Sequence, residues 1–142
     1  MTKIFKFEVP GAAVPQGRPR LTTIGGYARA YDPPKCKAYK EFVRECAIAQ
    51  CRPDLNNLYL GAVEIKVTEY RAIPKSWSKV RQLKALNGVI KPIIKPDTDN
   101  ILKIIKDALN GVMWKDDAQV VHDDITKVYD AEPRVTVEVE YL

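Results

Sequence analysis

Alternating apolar and polar residues predict strands at both ends of the chain. In residues 3–9, Phe5, Phe7 and Val9 fall on one side, and the run RVTVEVEYL near the C-terminus alternates in the same way. Alternation with a period of two residues is typical of a half-buried strand. Two further strands are predicted over AVEIKVTEY and VVHDDITKVYD, and a tight turn around residues 131–133 joins the second of these to the C-terminal strand.

Residues 34 to about 50 are predicted to form a helix, because apolar residues recur there at helical spacing. These residues are Tyr39, Phe42, Val43, Cys46 and Ala47. The segment before the helix, residues 10–34, contains Pro and Gly and is predicted to be a long loop, which in a compact domain is often functional. The loop is basic, with Arg18, Arg20 and Arg29 against one acid, Asp32.

Two more helices are predicted between the second and third strands. The segment PKSWSKVRQLKALNG is expected to start at a Ser76 cap and to end at Gly88. Its apolar side is expected to be Trp77, Val80 and Leu83. The next helix spans residues 99–110. The order of elements predicts an α/β chain of the α+β type, a single domain over residues 1–142 with a mixed sheet and helices on one or both faces.

Composition and charge narrow the function classes. The chain carries a net charge of +5 with a pI near 9.1, which favours an anionic partner, and nucleic acid is the commonest one. No apolar run approaches the roughly 20 residues of a membrane helix, and the N-terminus is unlike a signal peptide, so a cytoplasmic protein without a membrane partner is expected. The three cysteines and the single His122 lack the spacing of a zinc site.

The segment KPDTDNILKIIKDALNG gathers acids at its start and bases along one side. At about 100° per residue, Asp99, Lys103, Lys106 and Asn110 lie within roughly 60° of one another, and the apolar residues take the opposite side. The acids are open to two interpretations. Asp97 or Thr98 caps the helix while Asp99 favours the positive end of its dipole, or the acids hold a metal ion against a phosphate.

A second acidic pair, Asp116 and Asp117, follows in WKDDAQ and strengthens the metal interpretation. A hard cation such as Mg²⁺ takes oxygen ligands, commonly a few carboxylates with water and substrate phosphate. Residues 99–110 make a helix about 18 Å long, and the six steps from Gly111 to Asp117 reach at most about 20 Å. Asp117 therefore returns to the start of the helix only if the chain doubles straight back; otherwise the third acid comes from another subunit.

The whole segment KPDTDNILKIIKDALNGVMWKDDAQV closely resembles the signature of RusA-type Holliday junction resolvases, which are crossover junction endodeoxyribonucleases. The matching residues, in the order and spacing of that family, are Asp97, Asp99, Asn100, Lys103, Asp107, Ala108, Leu109, Trp114, Asp116, Asp117 and Gln119. The resemblance implies a small homodimer with a mixed, mostly antiparallel sheet. It further implies Mg²⁺ or Mn²⁺ as cofactor and symmetric phosphodiester hydrolysis in four-way DNA junctions during recombination and repair.

Carried over residue by residue, the resemblance implies that Asp97, Asp99 and Asp117 are catalytic metal ligands and that Lys103 is a catalytic lysine. The resemblance also implies that the side chains of Asp116, Asn100 and Asp107 lie next to that site. Some members carry a basic residue before the first aspartate, where this chain has Pro96. The candidate phosphate contacts are Arg18, Arg20, Lys35, Lys37, Lys40 and Lys106.

Two other functions fit parts of the sequence. In a DNA-binding module without catalysis, the aspartates only cap the helix and pair with lysines; the dense group of acids argues against this, since acids beside phosphate weaken binding unless a metal lies between them. In a small-molecule phosphatase, D-x-D supplies a nucleophile and an acid, but such motifs usually follow an apolar parallel strand, whereas here Pro96 precedes Asp97. A nuclease is therefore the leading hypothesis, with the protein in the cytoplasm and at the nucleoid when bound to DNA.

Overall fold

The computed structural model describes residues 3–17 and 20–142, and for residues 20, 22, 24 and 27–31 it describes the backbone without the side chains. The elements are β1 (Lys3–Pro10), β2 (Arg20–Ile24), β3 (Tyr27–Tyr31), α1 (Pro34–Cys51), β4 (Val63–Ala72), α2 (Lys79–Leu86), α3 (Thr98–Leu109), a short 3₁₀ helix (Asp117–Gln119), β5 (Val120–Asp130) and β6 (Arg134–Tyr141). Within this part of the chain, no helix is both long enough and apolar enough to cross a membrane.

Four strands form one sheet in the order β1-β6-β4-β5. The β4–β5 pair is parallel and the other two pairs are antiparallel, which confirms a mixed, mostly antiparallel sheet in a single small α+β domain. Alternate residues of β1, β4 and β6 are buried with α1 and α3 in one core. The residues between them are polar on the opposite face of the sheet, for example Glu64, Lys66 and Glu138. The helices that carry the candidate site therefore lie on one side of the sheet.

The predicted loop over residues 10–34 is partly wrong, because β2 and β3 form an antiparallel hairpin there. Gly25 and Gly26 lie between the strands and both have positive φ, 63° and 83°. A two-residue hairpin turn with positive φ at both positions favours glycine, which lacks the Cβ that would clash. Arg18 lies outside the described residues, and the side chains of Arg20 and Arg29 do as well.

Helix α2 differs from the prediction at its cap and on its apolar side. The cap is Ser78, whose Oγ accepts a hydrogen bond from Arg81 N at 3.2 Å, so the predicted Ser76 cap is wrong. Val80 and Leu83 are 66% and 58% exposed, so two of the three residues on the predicted apolar side face solvent. The third, Trp77, lies before the helix and is half-buried against Tyr129. The helix buries the small side chain of Ala85 instead. The exposed side of α2 is left without a packing partner in the described part of the chain.

Helix α3 has the core face that its sequence predicts. Its buried residues are Ile101, Leu102, Ile104, Ile105, Ala108 and Leu109. Burying such side chains stabilises the fold by roughly 1.5–3 kcal/mol each, so the helix is fixed firmly on the sheet. Its polar side, with the candidate site residues, faces outward.

Candidate active site

Asp97 and Asp99 lie exposed at the start of α3, called the head of the helix below (residues 97–100). Asp97 occupies the N-cap position with extended backbone, but its side chain makes no capping hydrogen bond. One oxygen of Asp99 accepts a hydrogen bond from Asn100 N at 3.0 Å. Among the described residues, neither carboxylate takes part in a salt bridge within 4.0 Å. The Asp97 side chain therefore does not cap the helix, and capping does not explain why an acid occupies this position.

Two long-range contacts hold the head in place. The backbone N–H of Gln16, in the segment after β1, donates to Asn100 O at 3.0 Å. On the other side, the Lys127 ammonium on β5 donates to Ile94 O at 2.7 Å and to Pro96 O at 3.0 Å. The segment leading into Asp97 is thus attached to the sheet, although residues 91–97 have no regular secondary structure.

Lys103 lies one turn beyond Asp99 with an exposed side chain, as the helical spacing predicts. Its ammonium is near Asp32, at the end of the β2–β3 hairpin. A hydrogen bond from Lys40 holds the pKa of Asp32 below its usual value, and the charge of Lys103 contributes more weakly to the same effect. In the described part of the chain Lys103 forms no salt bridge, so its charge is available to a phosphate.

The second half of α3, called the tail below (residues 106–110), has its charges in ion pairs. Lys40 of α1 lies between Asp32 and Asp107, at 2.7 and 3.5 Å, and its side chain is only 12% exposed. Lys106 pairs with Asp123 of β5 at 3.2 Å. Lys40 and Lys106 are candidate phosphate contacts that have carboxylate partners in the structure, and their contact with phosphate stays a prediction. Asp107 likewise serves to join α3 to α1.

The turn after the tail is rigid. Trp114 is fully buried, and its Nε1 donates to Asn110 Oδ1 at 2.7 Å. Gly111 N donates to Trp114 O at 2.7 Å, and the Tyr141 hydroxyl donates to Met113 O. These contacts fix the direction in which the chain leaves α3, so they also fix where the second acidic pair lies.

Gln119 holds the acidic segment that follows this turn. Its Oε1 accepts hydrogen bonds from the backbone N–H groups of Lys115 and Asp116, at 2.9 and 3.0 Å. Its Nε2 donates to the carbonyl oxygens of Tyr59 and Gly61, at 2.8 and 3.0 Å, just before β4. One side chain therefore ties the Asp116–Asp117 segment to the sheet. The motif match included this residue, and its spacing from Asp116 is that of a capping box, which indicates the bond to Asp116 N but not those to Tyr59 and Gly61.

Asp117 lies at the opposite end of α3 from Asp97 and Asp99. It directly precedes β5, and the contacts of Lys106 with Asp123 and of Lys127 with Pro96 show that β5 runs from the tail towards the head. Seven strand residues at about 3.3 Å each separate Val120 from Lys127 by roughly 23 Å. The chain does not double straight back, and one chain leaves the third acid on the order of 20 Å from the head.

Among the described residues, no group of three or more His, Cys, Asp or Glu side chains is arranged to hold a metal ion within one chain. Two exposed, oxygen-only carboxylates at the head still fit a hard cation, since Mg²⁺ is commonly bound by one or two carboxylates with water and substrate phosphate. The head also offers the positive end of the α3 dipole to substrate phosphate. The three-aspartate site stays a prediction.

The remaining candidate contacts for an anionic partner lie at the start of α1. Lys35 and Lys37 are exposed there, immediately after the β2–β3 hairpin.

The predicted neighbours of the site lie at both ends of α3. Asp116 is exposed beside Asp117, and the backbone carbonyl oxygen of Asn100 accepts a hydrogen bond from the backbone N–H of Gln16. Lys127 is a residue near the site that sequence reasoning missed, because a lysine on a predicted strand gives no signal of what it contacts.

Two comparisons with known proteins match nearly the whole chain. A sequence profile described as "Endodeoxyribonuclease RusA" matches residues 10–140. A protein of Bacillus subtilis (strain 168) named "Uncharacterized protein YqaN" is 44% identical over 134 residues, which cover 93% of this chain and 92% of the relative. The matched range contains both acidic pairs, Lys103 and the turn that separates them. The chain therefore belongs to the RusA endodeoxyribonuclease family.

Proposed function

We propose that the chain is a divalent-metal-dependent endonuclease that resolves Holliday junctions as a homodimer, by symmetric phosphodiester hydrolysis. The observation that carries the proposal is the head of α3: Asp97 and Asp99 are exposed and form no salt bridge in the described part of the chain, whereas Asp107 and Asp123 beside the same helix are paired with lysines. The family is one of endodeoxyribonucleases that generally depend on divalent metals and act on branched DNA.

In this proposal Asp97 and Asp99 hold Mg²⁺ or Mn²⁺ with Asp117 of the partner subunit. A bound divalent cation lowers the pKa of a water ligand and neutralises charge on the phosphate. Lys103 contributes a positive charge on the same side of α3, where it contacts phosphate oxygens and stabilises the charge that develops on them. The α3 dipole acts in the same direction, because its positive end is at the head.

The partner subunit is required because one chain leaves Asp117 far from Asp97. A C2 dimer that aligns the two α3 helices in opposite directions brings each head to the other chain's acidic segment and creates two equivalent sites. A four-way junction has the same approximate two-fold symmetry. Asp116, exposed beside Asp117, is then a neighbour of the completed site.

A surface next to the head is suited to a second copy of the chain. We call it the apolar patch; it consists of Val80, Leu83, Leu86, Val89, Ile93 and Ile94, all at least 50% exposed. Exposed patches of several hundred Å² mark interaction sites, and a stable interface takes about 800 Å² from each partner. Ile93 and Ile94 precede Asp97 by only a few residues, so this end of the set is close along the chain to the part of the site that needs a partner.

DNA contacts are proposed for the side of the molecule that bears the head. Lys35, Lys37 and Lys103 are exposed there, and the hairpin that carries Arg20 and Arg29 leads into α1. Lysines facing phosphates supply binding energy that weakens as salt rises. We leave Lys40 and Lys106 out of this set, because each ammonium is already paired with carboxylates.

The direct experiment is cleavage of a labelled synthetic four-way junction, with and without Mg²⁺. The wild-type chain is expected to cut two opposed strands only when the metal is present, and Asp97→Asn is expected to bind the junction but leave it intact. Mg²⁺-independent binding with no nicked product would favour a DNA-binding module instead. Equal cleavage by wild type and Asp97→Asn would remove the head from the mechanism.

A further inference from the structure

Lys127 is the residue whose contacts the proposed mechanism leaves unexplained. It lies in the second half of β5, ten residues after Asp117, and its ammonium donates to Ile94 O at 2.7 Å and to Pro96 O at 3.0 Å. Within the described part of the chain, no other hydrogen bond holds the backbone of residues 91–96. Apart from the packing of the buried Pro92, Lys127 is therefore the main restraint on the path of the chain into Asp97.

A lysine suits this role chemically. Its ammonium has three N–H donors on a flexible stem, so it can serve two carbonyl oxygens two residues apart, which a single amide or hydroxyl donor cannot do as well. The contact also restrains the residue directly before the N-cap of α3. The first turn is closed by the Ile101 N–H, which donates to Asp97 O at 3.2 Å. A displacement at Pro96 is therefore transmitted to this turn and to the Asp97 carboxylate.

Glu69 of β4 is the acid next to Lys127 in the sheet. It is the direct neighbour of Lys127 in the parallel β4–β5 register and is only 3% exposed. Burial raises the pKa of Glu69, while the charges of Arg71 and Lys127 act against this rise. Arg71 Nη1 lies 3.9 Å from Glu69 Oε1, and among the described residues this oxygen has no hydrogen-bond partner.

A cavity of about 230 Å³ brings the two parts together. Its lining includes Glu69, Pro96 and the backbone segment at Ala12 and Ala13. The buried Glu69 and the proline before Asp97 thus line the same cavity, and Lys127 is next to Glu69 in the β4–β5 register.

We propose that Lys127 is a positioning residue for Asp97: it fixes the Ile94–Pro96 backbone so that the Asp97 carboxylate is held ready for the divalent cation. The proposal rests on the proposed metal site. It assigns Lys127 no contact with substrate. It predicts that loss of Lys127 weakens metal binding much more than it slows the reaction at saturating metal.

The test compares Lys127→Met with Lys127→Arg, and with Lys66→Met as a matched control on the open face of the sheet. Mn²⁺ binding is measured by electron paramagnetic resonance, and hydrogen exchange of the Ile101 amide is measured without metal. Lys127→Met is expected to weaken Mn²⁺ binding about tenfold and to speed Ile101 exchange by a similar factor. Lys127→Arg, which keeps several donors, is expected to stay within about threefold of wild type.

In the cleavage assay, Lys127→Met is expected to need about tenfold more metal for half-maximal rate, with the saturated rate within about threefold of wild type. Wild-type Mn²⁺ affinity and unchanged Ile101 exchange in Lys127→Met would overturn the proposal, and equal losses in Lys66→Met would do so too. If Lys127→Met does not fold, weak Mn²⁺ binding by a folded Lys127→Arg is the contradicting result. A wild-type chain that binds Mn²⁺ but cuts no junction would refute the proposed function alone, since binding and exchange still test the positioning.

Discussion

The two ends of α3 carry similar residues and use them differently. At the tail, Asp107 pairs with Lys40, Lys106 pairs with Asp123, and the Asn110 side chain accepts the Trp114 N–H. At the head, Asp97 and Asp99 are exposed and form no salt bridge in the described part of the chain. The head is held through backbone carbonyl oxygens: Asn100 O accepts from Gln16 N, and Pro96 O, just before the head, accepts from Lys127. The carboxylates of Asp97 and Asp99 take no part in these contacts.

The difference separates charges that build the fold from charges that are available for function. An acid paired with a buried lysine contributes to stability, and its partner cannot easily turn to a ligand. Two unpaired acids one residue apart repel each other and gain little from the helix dipole beyond roughly 1 kcal/mol. Under the proposed function, a cation bound between them would remove this repulsion.

The largest contrast is expected between Asp99→Asn at the head and Asp107→Asn at the tail. Asp99→Asn should lower junction cleavage at least about 10³-fold, a loss of about 4 kcal/mol in transition-state stabilisation, and leave the free energy of unfolding within about 1 kcal/mol of wild type. Asp107→Asn should cost about 1 kcal/mol of stability, because Lys40 keeps Asp32 as its partner, and cleavage should stay within about threefold. Cleavage rates and urea unfolding measure both.

The opposite pattern would contradict the assignment of the head of α3 to function and of the tail to stability. If Asp107→Asn stopped cleavage without loss of stability, the tail would belong to the active site. If Asp99→Asn unfolded the protein while its remaining folded fraction still cleaved DNA, the head would be structural.

A smaller effect is expected from a charge placed in the apolar patch beside the head. Ile93 is 92% exposed, so Ile93→Asp should leave the monomer's fold intact but weaken self-association by roughly 2 kcal/mol or more, about 30-fold. Analytical ultracentrifugation should find a larger monomer fraction, and cleavage should fall with the dimer. Leu55→Asp, at another exposed apolar residue, is the control and should change neither. An unchanged dimer in Ile93→Asp would place the interface elsewhere.

Much of the fold follows from the sequence because its elements have strong periodicity. The four sheet strands and α1 and α3 are confirmed close to their predicted bounds. The β2–β3 hairpin was missed, since RLTTI and YARAY lack a clear apolar face and only the Gly25–Gly26 pair signals the turn. Helix α2 was assigned the wrong buried side because its apolar residues suit a buried core, but in one chain they face solvent.

The sequence supplies the candidate residues of the site, but it does not supply their arrangement in space. Spacing alone placed Asp97, Asp99 and Lys103 on one side of a helix. The position of Asp117 depends on the turn fixed by Trp114 and on the parallel pairing of β4 with β5, and neither is visible in a local pattern. The same pairing brings Lys127 beside Glu69 and under the head, so this part of the site needed the structure.

Mixing two inactive variants tests most directly whether each site takes acids from two chains. Asp97→Asn and Asp117→Asn are inactive alone under this account, but their mixed dimer contains one site in which all three acids are intact. After subunit exchange of equal amounts, with mixed dimers verified by mass spectrometry, nicking should return at about a quarter of the wild-type rate, because half of the dimers have one of two sites active. A verified mixture as inactive as its components would contradict the shared site.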